Sequence, residues 1–364
     1  METVRAALTV GWQDIVDFSA AALAGTGIPA EAARKAAIAQ VDADLHGTVT
    51  HGLKNLRNYV TQLLDGRLNP KAEIKEVVRT PAAVVLEANN AHGFVAGQVG
   101  MEKAIEVAKQ SGIGTAFVRG SNHYGASGYW ARMALPENMI GFAITSAYAS
   151  IAPWGGRKAI VGNNPPGWAI PTQVAKPGDP FPPGETDPVF LDFALSVVAG
   201  NRLDIFRRRG EPIPLGWALD EKGEPTTDAS ARAKGGTFMP ISEYKGSGMA
   251  LVLAMIPCFL GGGEFDDERF DGDGKNVMGT CSHWFMAYDI KQFVDPAKFT
   301  ERVRALQGRI RAQQPRAGVS QVYSPGDIEN TNAKRHRAEG IPLEEFVVED
   351  LTWVAEHTGV ATPW

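Results

Sequence analysis

Hydrophobic residues recur with helical spacing near the beginning of the chain. Residues 12–44 include "GIPAEAARKAAIAQVDADL", in which Ala and Ile lie three and four positions apart, and this spacing predicts helix. Pro29 stands at an early helical position, where proline is favoured. The segment "HGTVTHG" interrupts the pattern before "LKNLRNYVTQLLDG" resumes it. The N-terminal region is therefore predicted to consist of helices separated by a break that contains histidine.

The helix after this break is predicted to begin near Thr50 and to stop at Gly66. Threonine commonly caps helix N-termini, and glycine commonly follows the last helical residue. The apolar stripe of this helix comprises Leu53, Leu56, Val60, Leu63 and Leu64. His51 is therefore expected at the start of a helix.

From about residue 75 the apolar positions gather into short runs instead. Several runs are rich in Val, Ile and Phe and end at Gly, Pro, Asn or Asp, which predicts strands; they are "EIKEVVRT", "AAVVLEA", "GTAFVRG", "IGFAITS", "PVFLDFALS" and "WFMAYDI". Two helices, "GQVGMEKAIEVAKQSG" and "SGYWARMALPEN", are predicted among them. Residues 163–188 are rich in proline and glycine and are predicted to form long loops. The run "KGSGMALVLAMIPCFL" is predicted to be a buried helix, because it is too short for a membrane span.

After Pro296 the chain is helical and charged again. Neither helical end has enough apolar surface to fold alone, so both ends are predicted to share one layer beside the middle of the chain. The predicted fold class is mixed α/β. Its predicted domains are a helical domain of residues 1–75 plus 291–364 and an α/β domain of residues 76–290.

The composition limits the classes of partner. Of the 364 residues, 44% are hydrophobic and 21% are charged, which is typical of a soluble globular protein. The net charge of -5 argues against a nucleic acid partner, which requires a basic surface. The two cysteines, Cys258 and Cys281, predict reduced thiols rather than a disulfide framework. Because "METVRAALTVGWQD" shows no secretory signal and no membrane span is visible, a cytoplasmic location without a membrane partner is expected.

Several common catalytic and binding motifs are absent from the sequence. It has no G-x-x-x-x-G-K-[ST] phosphate loop, no H-E-x-x-H or paired C-x-x-C metal motif, and no G-x-S-x-G elbow. The glycines of "SGIGTAFVRG" fall between a predicted helix and a predicted strand, which is the reverse of the Rossmann order. No metal site is therefore expected, and a serine hydrolase centred on Ser247 has little support.

Two of the seven histidines, His51 and His123, have neighbours typical of a functional site. Each lies where a loop is predicted to enter a helix, and helix N-termini favour anions and neutral imidazoles. Glycines flank both histidines, which either lets the backbone approach a ligand or forms an ordinary turn. His336 and His357 are predicted to be solvated, and His92 is predicted to lie in a turn.

Asp192 and Lys245 are two further candidates. Asp192 lies inside an apolar run, where a carboxylate is costly unless it is paired. It is predicted either to hydrogen-bond the N–H group of an imidazole or to cap a helix beginning near Ala194. Lys245 begins the apolar helix beside Gly246, which suits either a phosphate ligand or a surface lysine at a helix boundary.

Taken together, segments along nearly the whole chain resemble the type 2 malate/L-lactate dehydrogenase family, whose fold differs from that of the Rossmann enzymes with those names. The family includes L-sulfolactate dehydrogenase, ureidoglycolate dehydrogenase, 2,3-diketogulonate reductase and Δ1-piperideine-2-carboxylate reductase. The segments that carry the resemblance are "DLHGTVTHGL", "GTAFVRGSNHYGASGYWARMA", "IAPWGGRKAIVGNNPPGWAIP", "LDFALSVVAGNRL", "PLGWALDEKGEPTTDA", "YKGSGMALVL" and "SPGDIENTNAKRHRAEGIPL".

The resemblance implies an NAD(P)-dependent oxidoreductase, with cofactor and substrate bound by a non-Rossmann sheet domain, and it implies a homodimer. His51 matches the family's proton donor, His123 an active-site histidine, and Asp192 an aspartate near the nicotinamide. The implied substrate-binding residues are Thr50, Asn55 and Arg57. The implied cofactor-binding residues are Gly162, Asn163, Asn164, Pro165, Asp192, Phe193, Ala194, Lys245, Gly246, Gly326, Asp327 and Glu329.

One departure from the family concerns the substrate. The family commonly has arginine four residues after the histidine that His51 matches, where it can hold a carboxylate, and this chain has Asn55 there. Arginine occurs instead at Arg57, which on a helix points nearly the opposite way, beside the apolar stripe. Arg57 is therefore expected either to reach another part of the pocket or to extend along the helix surface with its head in water.

The predicted reaction is hydride transfer between the nicotinamide of NAD or NADP and a small 2-hydroxy or 2-oxo acid. His51 would move the proton of the 2-hydroxyl group, Asp192 would orient its imidazole, and His123 would hydrogen-bond the substrate. Two alternatives stay open. One is reduction of the C=N bond of a cyclic or N-alkyl imino acid, and the other is a catalytically silent homologue that only binds a dinucleotide or an organic anion.

Overall fold

The computed structural model describes residues 6–176, 187–270 and 275–364. Within these ranges its helices are α1 (Trp12–Gly25), α2 (Ala30–Leu45), α3 (Leu56–Leu64), α4 (Gly93–Ser111), α5 (Ser127–Arg132), α6 (Gly200–Arg208), α7 (Tyr244–Met255), α8 (Pro296–Arg311), α9 (Asp327–Glu339) and α10 (Glu345–Thr358). Its strands there are β1 (Leu8–Val10), β2 (Lys75–Arg79), β3 (Ala83–Glu87), β4 (Ile113–Ser121), β5 (Met139–Thr145), β6 (Pro166–Ile170), β7 (Val189–Asp192), β8 (Ala218–Leu219), β9 (Pro225–Thr226), β10 (Thr237–Phe238), β11 (Cys281–Asp289) and β12 (Ile341–Leu343).

A seven-stranded sheet in the order β2-β3-β4-β11-β5-β6-β7 forms the centre of the fold. Strands β3 and β4 are parallel, and every other neighbouring pair in this sheet is antiparallel. Because a Rossmann sheet is mostly parallel, this topology confirms the predicted mixed α/β, non-Rossmann fold. Two smaller sheets pair β1 with β12 and place three short strands in the order β10-β8-β9.

Helix α4 lies close against the sheet because glycines occupy its inner face. A Cβ at Gly97 would lie 2.9 Å from the Trp130 ring, and one at Gly100 would lie 2.4 Å from the Phe285 ring. Helix α2 packs on α4, and one hydrophobic core runs from α1 and α2 through α4 into the sheet. The layer of helices and the sheet therefore share their interior.

The two ends of the chain meet in this layer. Strand β1 pairs antiparallel with β12, so that Leu8 lies opposite Leu343 and Val10 lies opposite Ile341. Helix α10 packs on α1 and α3, and α9 packs on α2. The predicted helical layer built from both chain ends is present, while the division of the chain into two domains stays a prediction.

The loop prediction for residues 163–188 is wrong for Pro166–Ile170, which form β6. This strand forms despite its proline and glycine because β5 and β7 pair with it on both sides. Gly167 is needed there, since a Cβ would lie 2.6 Å from the backbone of Ser127. Residues 177–186 of the predicted loop lie outside the described residues.

The apolar helix α7, which a single turn of π-helix extends to Leu260, is buried on only one of its faces. Ala250, Ala254 and Cys258 point into a second hydrophobic core that α7 shares with α6 and the small β10-β8-β9 sheet. The opposite face is between 43% and 68% exposed and comprises Met249, Val252, Met255, Phe259 and Leu260. The prediction of a buried helix is therefore wrong for this face. Within the described ranges, no helix has both the length and the apolar character that a membrane crossing requires.

Candidate active site

His51 lies in a short turn and not at the start of a helix. Residues Val49–His51 form one turn of 3-10 helix, and α3 begins only at Leu56, with Asn55 as its N-cap residue. The prediction that Thr50 caps a helix is wrong, because this turn places its hydroxyl 2.9 Å from Nδ1 of His51. Nε2 is therefore the ring nitrogen of His51 that remains for a ligand.

Asp44, at the end of α2, holds the backbone that follows His51. Its Oδ2 accepts a hydrogen bond of 2.7 Å from the N–H group of Leu53. Gly52 passes so close that a Cβ would lie 1.9 Å from the same oxygen. Burial raises the pKa of Asp44 to about 8, although the Leu53 hydrogen bond opposes this shift. Near neutral pH the turn therefore rests on an uncharged carboxyl group.

The loop that carries His123 is fixed mainly by its own backbone and by Asn122. The Asn122 side chain donates to the carbonyl oxygen of Ala91 at 2.8 Å. Gly120 and Gly125 adopt φ angles of 68° and 79°, a region that favours glycine. These glycines shape the backbone around His123, as the sequence suggests, and leave its ring open to solvent.

The rings of His51 and His123 are stacked, with centroids 5.5 Å apart and planes 20° apart. On the other side of His123, the Tyr59 hydroxyl lies 2.5 Å from Nδ1. Burial, together with the charges of His123 and Lys54, lowers the pKa of His51 to about 3. The surrounding protein and the Lys54 charge lower the pKa of His123 to about 4. Both imidazoles are therefore neutral at physiological pH and can accept a proton.

Helix α6 covers the turn of His51 with polar side chains. The Asn201 amide donates to the carbonyl oxygen of Thr50 at 2.6 Å, and Asp204 pairs with Lys54 at 3.2 Å. Burial lowers the pKa of Lys54, while Asp204 opposes this shift. The apolar pattern does not predict this helix, because only Leu203 and Ile205 are buried on it.

The structure places Asn55 and Arg57 on opposite sides, as the helical geometry predicts. Asn55 donates from its amide to the carbonyl oxygen of Thr50 at 3.0 Å. Arg57 instead pairs with Asp350 of α10 at 2.9 Å, and its guanidinium lies 4.8 Å from the centroid of the Trp353 ring. The expectation of an arginine with its head in water is met only in part, because Arg57 is half-exposed but its head is bound to α10.

Asp192 ends β7 and contacts the beginning of α5. Its Oδ2 accepts a hydrogen bond of 2.8 Å from the N–H group of Gly128. Among the hydrogen bonds and ion pairs of the described residues, Asp192 has none with His51, so the predicted orienting contact is not formed. The alternative of a cap for a helix near Ala194 is also wrong, because α6 begins at Gly200. Asp192 caps α5, which is distant in the sequence.

The predicted cofactor loop of residues 162–165 lies beside Asp192. The carbonyl oxygen of Asn163 accepts a hydrogen bond of 2.8 Å from Leu195, and that of Pro165 accepts one of 2.6 Å from the Ser127 hydroxyl. Asn164 is buried, and its side chain binds the backbone of Ala147 and the carboxylate of Asp266, each at 2.7 Å. Asn164 therefore shapes the loop from inside.

The segments around residues 193–195 and 241–246 are joined. Ile241 donates its N–H group to the carbonyl oxygen of Leu195 at 2.9 Å, so the start of α7 lies near the end of β7. A Cβ at Gly246 would lie 1.7 Å from the carbonyl oxygen of Ile241, which requires glycine there. Lys245 is exposed at this helix start, whereas the adjacent Phe193 and Ala194 are half-buried.

The start of α9 packs on β7. Gly326 has a φ angle of 92°, and a Cβ there would lie 2.9 Å from the Phe190 ring. Asp327 is the first residue of α9, and its Oδ2 accepts a hydrogen bond of 2.7 Å from the N–H group of Ser324 in the preceding loop. Asp327 also pairs with Arg311. Glu329 lies close enough to Asp192 for its charge to raise the pKa of that carboxyl group.

A cavity of about 700 Å³ opens beside the turn of His51. Thr50 and Glu329 are the predicted site residues in its lining, and Arg202 and Arg335 contribute basic groups. The other lining residues are Thr9, Asp44, His46, Gly47, Thr48, Val49, Ile205, Arg209, Ile328, Asn332, His336, Glu339, Gly340, Pro342 and Glu344. The cavity thus adjoins the backbone turn that leads to His51, without being lined by either ring of the histidine pair, and it combines both signs of charge.

The remaining histidines have structural surroundings. His283 is fully buried, and its ring nitrogens lie 2.8 Å from the hydroxyls of Thr145 and Ser121. His336 is also buried, with Nδ1 against the carbonyl groups that end α2, so its predicted solvation is wrong because α9 packs there. His357 is exposed, as predicted, and His92 is the N-cap residue of α4.

Across the described part of the chain, no three His, Cys, Asp or Glu side chains are placed to share a metal ion.

Comparison with known proteins identifies the family. A sequence profile described as malate/L-lactate dehydrogenase matches residues 10–352. Malate dehydrogenase of Pyrococcus abyssi is 33% identical over 354 residues, which cover 95% of this chain and 94% of the relative. L-sulfolactate dehydrogenase of Methanocaldococcus jannaschii is 32% identical, with 92% of each chain covered. The crystal structure of malate dehydrogenase from Entamoeba histolytica matches with a TM-score of 0.90 at 26% identity, covering 98% of this chain and 99% of that one.

The mixed sheet and these matches define the class of protein, an oxidoreductase. The chain belongs to the malate/L-lactate dehydrogenase family, as the resemblance predicts. The sequence segments that suggested this family include those that contain His51, His123 and Asp192.

Proposed function

We propose that this enzyme transfers a hydride between the nicotinamide of NAD or NADP and C2 of a small 2-hydroxy or 2-oxo acid. The observation that carries the proposal is the stacked pair of neutral histidines. A polar cavity opens beside the turn that leads to His51. Malate and sulfolactate, named in the relatives, are 2-hydroxy acids of this kind. The Lys54 charge, which acts on both rings, favours an anion beside them.

The residues present fit a dinucleotide. The cavity has a volume in the range of ligand sites, about 300–1,000 Å³, and Arg202 and Arg335 offer cations for phosphates. Glu329 would contact the cofactor from the cavity wall, where Thr50 would contact the substrate. Residues 162–165, 192–194, 245–246 and 326–327 would complete the cofactor site. Because the side chains of Asn164 and Asp327 are bound within the protein, these two residues would contribute through their backbone. When bound, the nicotinamide supplies or accepts the hydride.

His51 would handle the proton. During oxidation of a 2-hydroxy acid, the neutral imidazole would take the hydroxyl proton at Nε2, and during reduction it would return that proton to the substrate oxygen. His123 would hydrogen-bond the same oxygen. Asp192 would act at the cofactor rather than through His51, because it is bound to Gly128.

The proposal is tested by following the absorbance of NADH and NADPH with a panel of 2-oxo acids. Cyclic imines belong in the same panel, because a C=N bond would use the same hydride and the same acid. Oxidation of either cofactor by a 2-oxo acid is expected. Turnover of cyclic imines alone would show that the substrates are imino acids and not 2-oxo acids. No turnover with any compound would contradict the proposal.

His51→Ala is expected to lower kcat by roughly 10²–10⁴-fold, because a general acid–base group is lost. Binding of NADH or NADPH, measured by fluorescence titration, should change little. His357→Ala, which removes an exposed histidine of α10, is the matched control and should keep its activity. Unchanged turnover in His51→Ala would show that another group moves the proton.

We also propose that the enzyme is a homodimer in which the exposed face of α7 contacts a second copy. Val252, Met255 and Phe259 lie at helical spacing on this face, and a helix that is apolar on all sides is usually buried. The family resemblance supports a homodimer, while the choice of the α7 face rests on its exposed apolar side chains.

Val252→Glu combined with Phe259→Glu is expected to give a monomer, because burying two carboxylates at an apolar contact is costly. The mass is measured by light scattering after size-exclusion chromatography. Val78→Glu, on the exposed strand β2, should leave the dimer intact. A monomeric wild-type protein would refute the proposed contact.

A further inference from the structure

We propose that Tyr59 is a positioning residue that holds the proton of neutral His123 on Nε2, so that His123 presents a fixed N–H donor to the substrate oxygen. This inference deepens the proposed function and rests on it for the role of that donor. The hydrogen bond itself is a property of the protein without substrate.

Tyr59 is fixed in place by aromatic neighbours. It is 3% exposed, and its ring meets those of His92 and Phe94 edge-on, at centroid distances of 5.0 and 5.6 Å. Its plane lies 22° from that of His123, with the centroids 6.0 Å apart. The buried ring is held between these neighbours, and its packing places the hydroxyl 2.5 Å from Nδ1 of His123.

The direction of this hydrogen bond follows from what each group can do. Within the described residues, the Tyr59 hydroxyl makes its hydrogen bond with Nδ1 of His123. If Nδ1 donated, the buried O–H group would lack an acceptor, which is costly. Burial keeps the pKa of Tyr59 well above its usual range, so the hydroxyl retains its proton. Tyr59 therefore donates, Nδ1 accepts, and the single proton of the neutral ring lies on Nε2.

The two stacked histidines then differ in their proton chemistry. Nδ1 of His51 faces the Thr50 hydroxyl, which can rotate and either donate or accept, so both tautomers of His51 are open. His51 can therefore exchange a proton with the substrate, while His123 keeps its own and stabilises the charge that develops on the oxygen. The backbone of the His123 loop does not depend on Tyr59, because Asn122 holds it.

The tautomer is read from long-range ¹H–¹⁵N correlation spectra of the histidine rings in the protein without ligands. The signals of His123 are assigned by their loss in His123→Gln. In the wild-type protein, Nε2 is expected to be protonated and Nδ1 unprotonated. Tyr59→Phe, which keeps the ring and removes the hydroxyl, is expected to give a mixture of tautomers. A wild-type ring protonated on Nδ1, or an unchanged ring in Tyr59→Phe, would overturn the proposal.

Kinetics tests the functional part. Tyr59→Phe is expected to lower kcat roughly tenfold, by the loss of about one hydrogen bond in the transition state, while the KM for the cofactor stays the same. Tyr288→Phe, on β11, is the matched control and should change neither the tautomer nor kcat. An altered tautomer with unaltered kcat would refute the role of the donor. If the wild-type protein reduces no 2-oxo acid, the proposed function fails, whereas the spectra still decide the tautomer.

Discussion

The carboxylate of Asp192 is hydrogen-bonded to the backbone at the start of α5 and lies at the edge of the proposed cofactor site. It accepts the N–H group of Gly128, one of the amides that a helix start leaves without an internal partner. Burial and, to a smaller extent, the charge of Glu329 raise the pKa of Asp192 to about 6, against the Gly128 hydrogen bond. The group therefore titrates close to physiological pH, where a change of its charge can affect a bound dinucleotide.

Asp192→Asn is expected to keep the stability of the protein and to lower kcat/KM, because the amide oxygen still accepts the Gly128 hydrogen bond without a charge. Asp192→Ala should also lower the free energy of unfolding, by about 1 kcal/mol, since the cap is lost. Denaturant unfolding and a pH profile of kcat/KM measure the two effects. A fully active Asp192→Asn would limit Asp192 to its structural role.

At the scale of elements, the sequence predicts those whose apolar pattern is continuous. Strands β2, β3 and β7 lie within predicted runs, and α5 lies within a predicted helix. Strands β4, β5 and β11 overlap their predicted runs, and α4 begins four residues before its predicted segment. Strand β6 is not predicted, because Pro166 and Gly167 are poor strand formers. It is stabilised by pairing with its neighbours β5 and β7. Helix α7 is apolar on all its faces, so its sequence does not indicate which face packs against the rest of the chain and which face stays exposed.

The residues of the site are more predictable than their contacts. His51 and His123 stand out by their glycine neighbours, yet the sequence cannot show that their rings stack. Tyr59 belongs to no motif, and Asn201 lies in a segment that resembles the family but receives no role there. Their importance comes from hydrogen bonds between elements that are distant along the chain. Such pairings depend on the packing of α3 and α6, which local patterns do not encode.

The first turn of α4 limits how far the His123 loop can move. A Cβ at Gly93 would lie 2.1 Å from the carbonyl oxygen of His123, and both atoms belong to fixed backbone. Gly93→Ala is therefore expected to destabilise the protein by about 1–3 kcal/mol and to lower kcat. Gly308→Ala, at an exposed and open position of α8, should stabilise it by about 0.5–1 kcal/mol. If urea unfolding gave the same change in the free energy of unfolding for Gly93→Ala and Gly308→Ala, the close contact at Gly93 would not restrict the His123 loop.

At the scale of the whole molecule, buried histidines lower the free energy of unfolding as the pH falls, and a buried aspartate lowers it as the pH rises. Burial lowers the pKa of His92 and of His283 to about 3, so the unfolded chain binds more protons below its own histidine pKa of about 6.5. The stability that these residues contribute is present above about pH 6.5 and is lost as the pH falls. Asp44 acts in the other direction, because burial raises its pKa to about 8.

The stability associated with Asp44 is fully present below the pKa of an unfolded aspartate, about 3.9, and is lost as the pH rises through about 8. Asp44→Asn removes this loss, because the amide oxygen can still accept the Leu53 hydrogen bond and carries no charge. The advantage of the variant over the wild-type protein in free energy of unfolding should therefore grow with pH, at a slope approaching about 1.4 kcal/mol per pH unit. Urea unfolding at several pH values measures it, with Asp65→Asn, at an exposed position, as the control whose difference stays flat. An advantage of Asp44→Asn that does not change between about pH 4 and pH 8 would mean that Asp44 is ionised in the folded protein, and the turn of His51 would then rest on a charge.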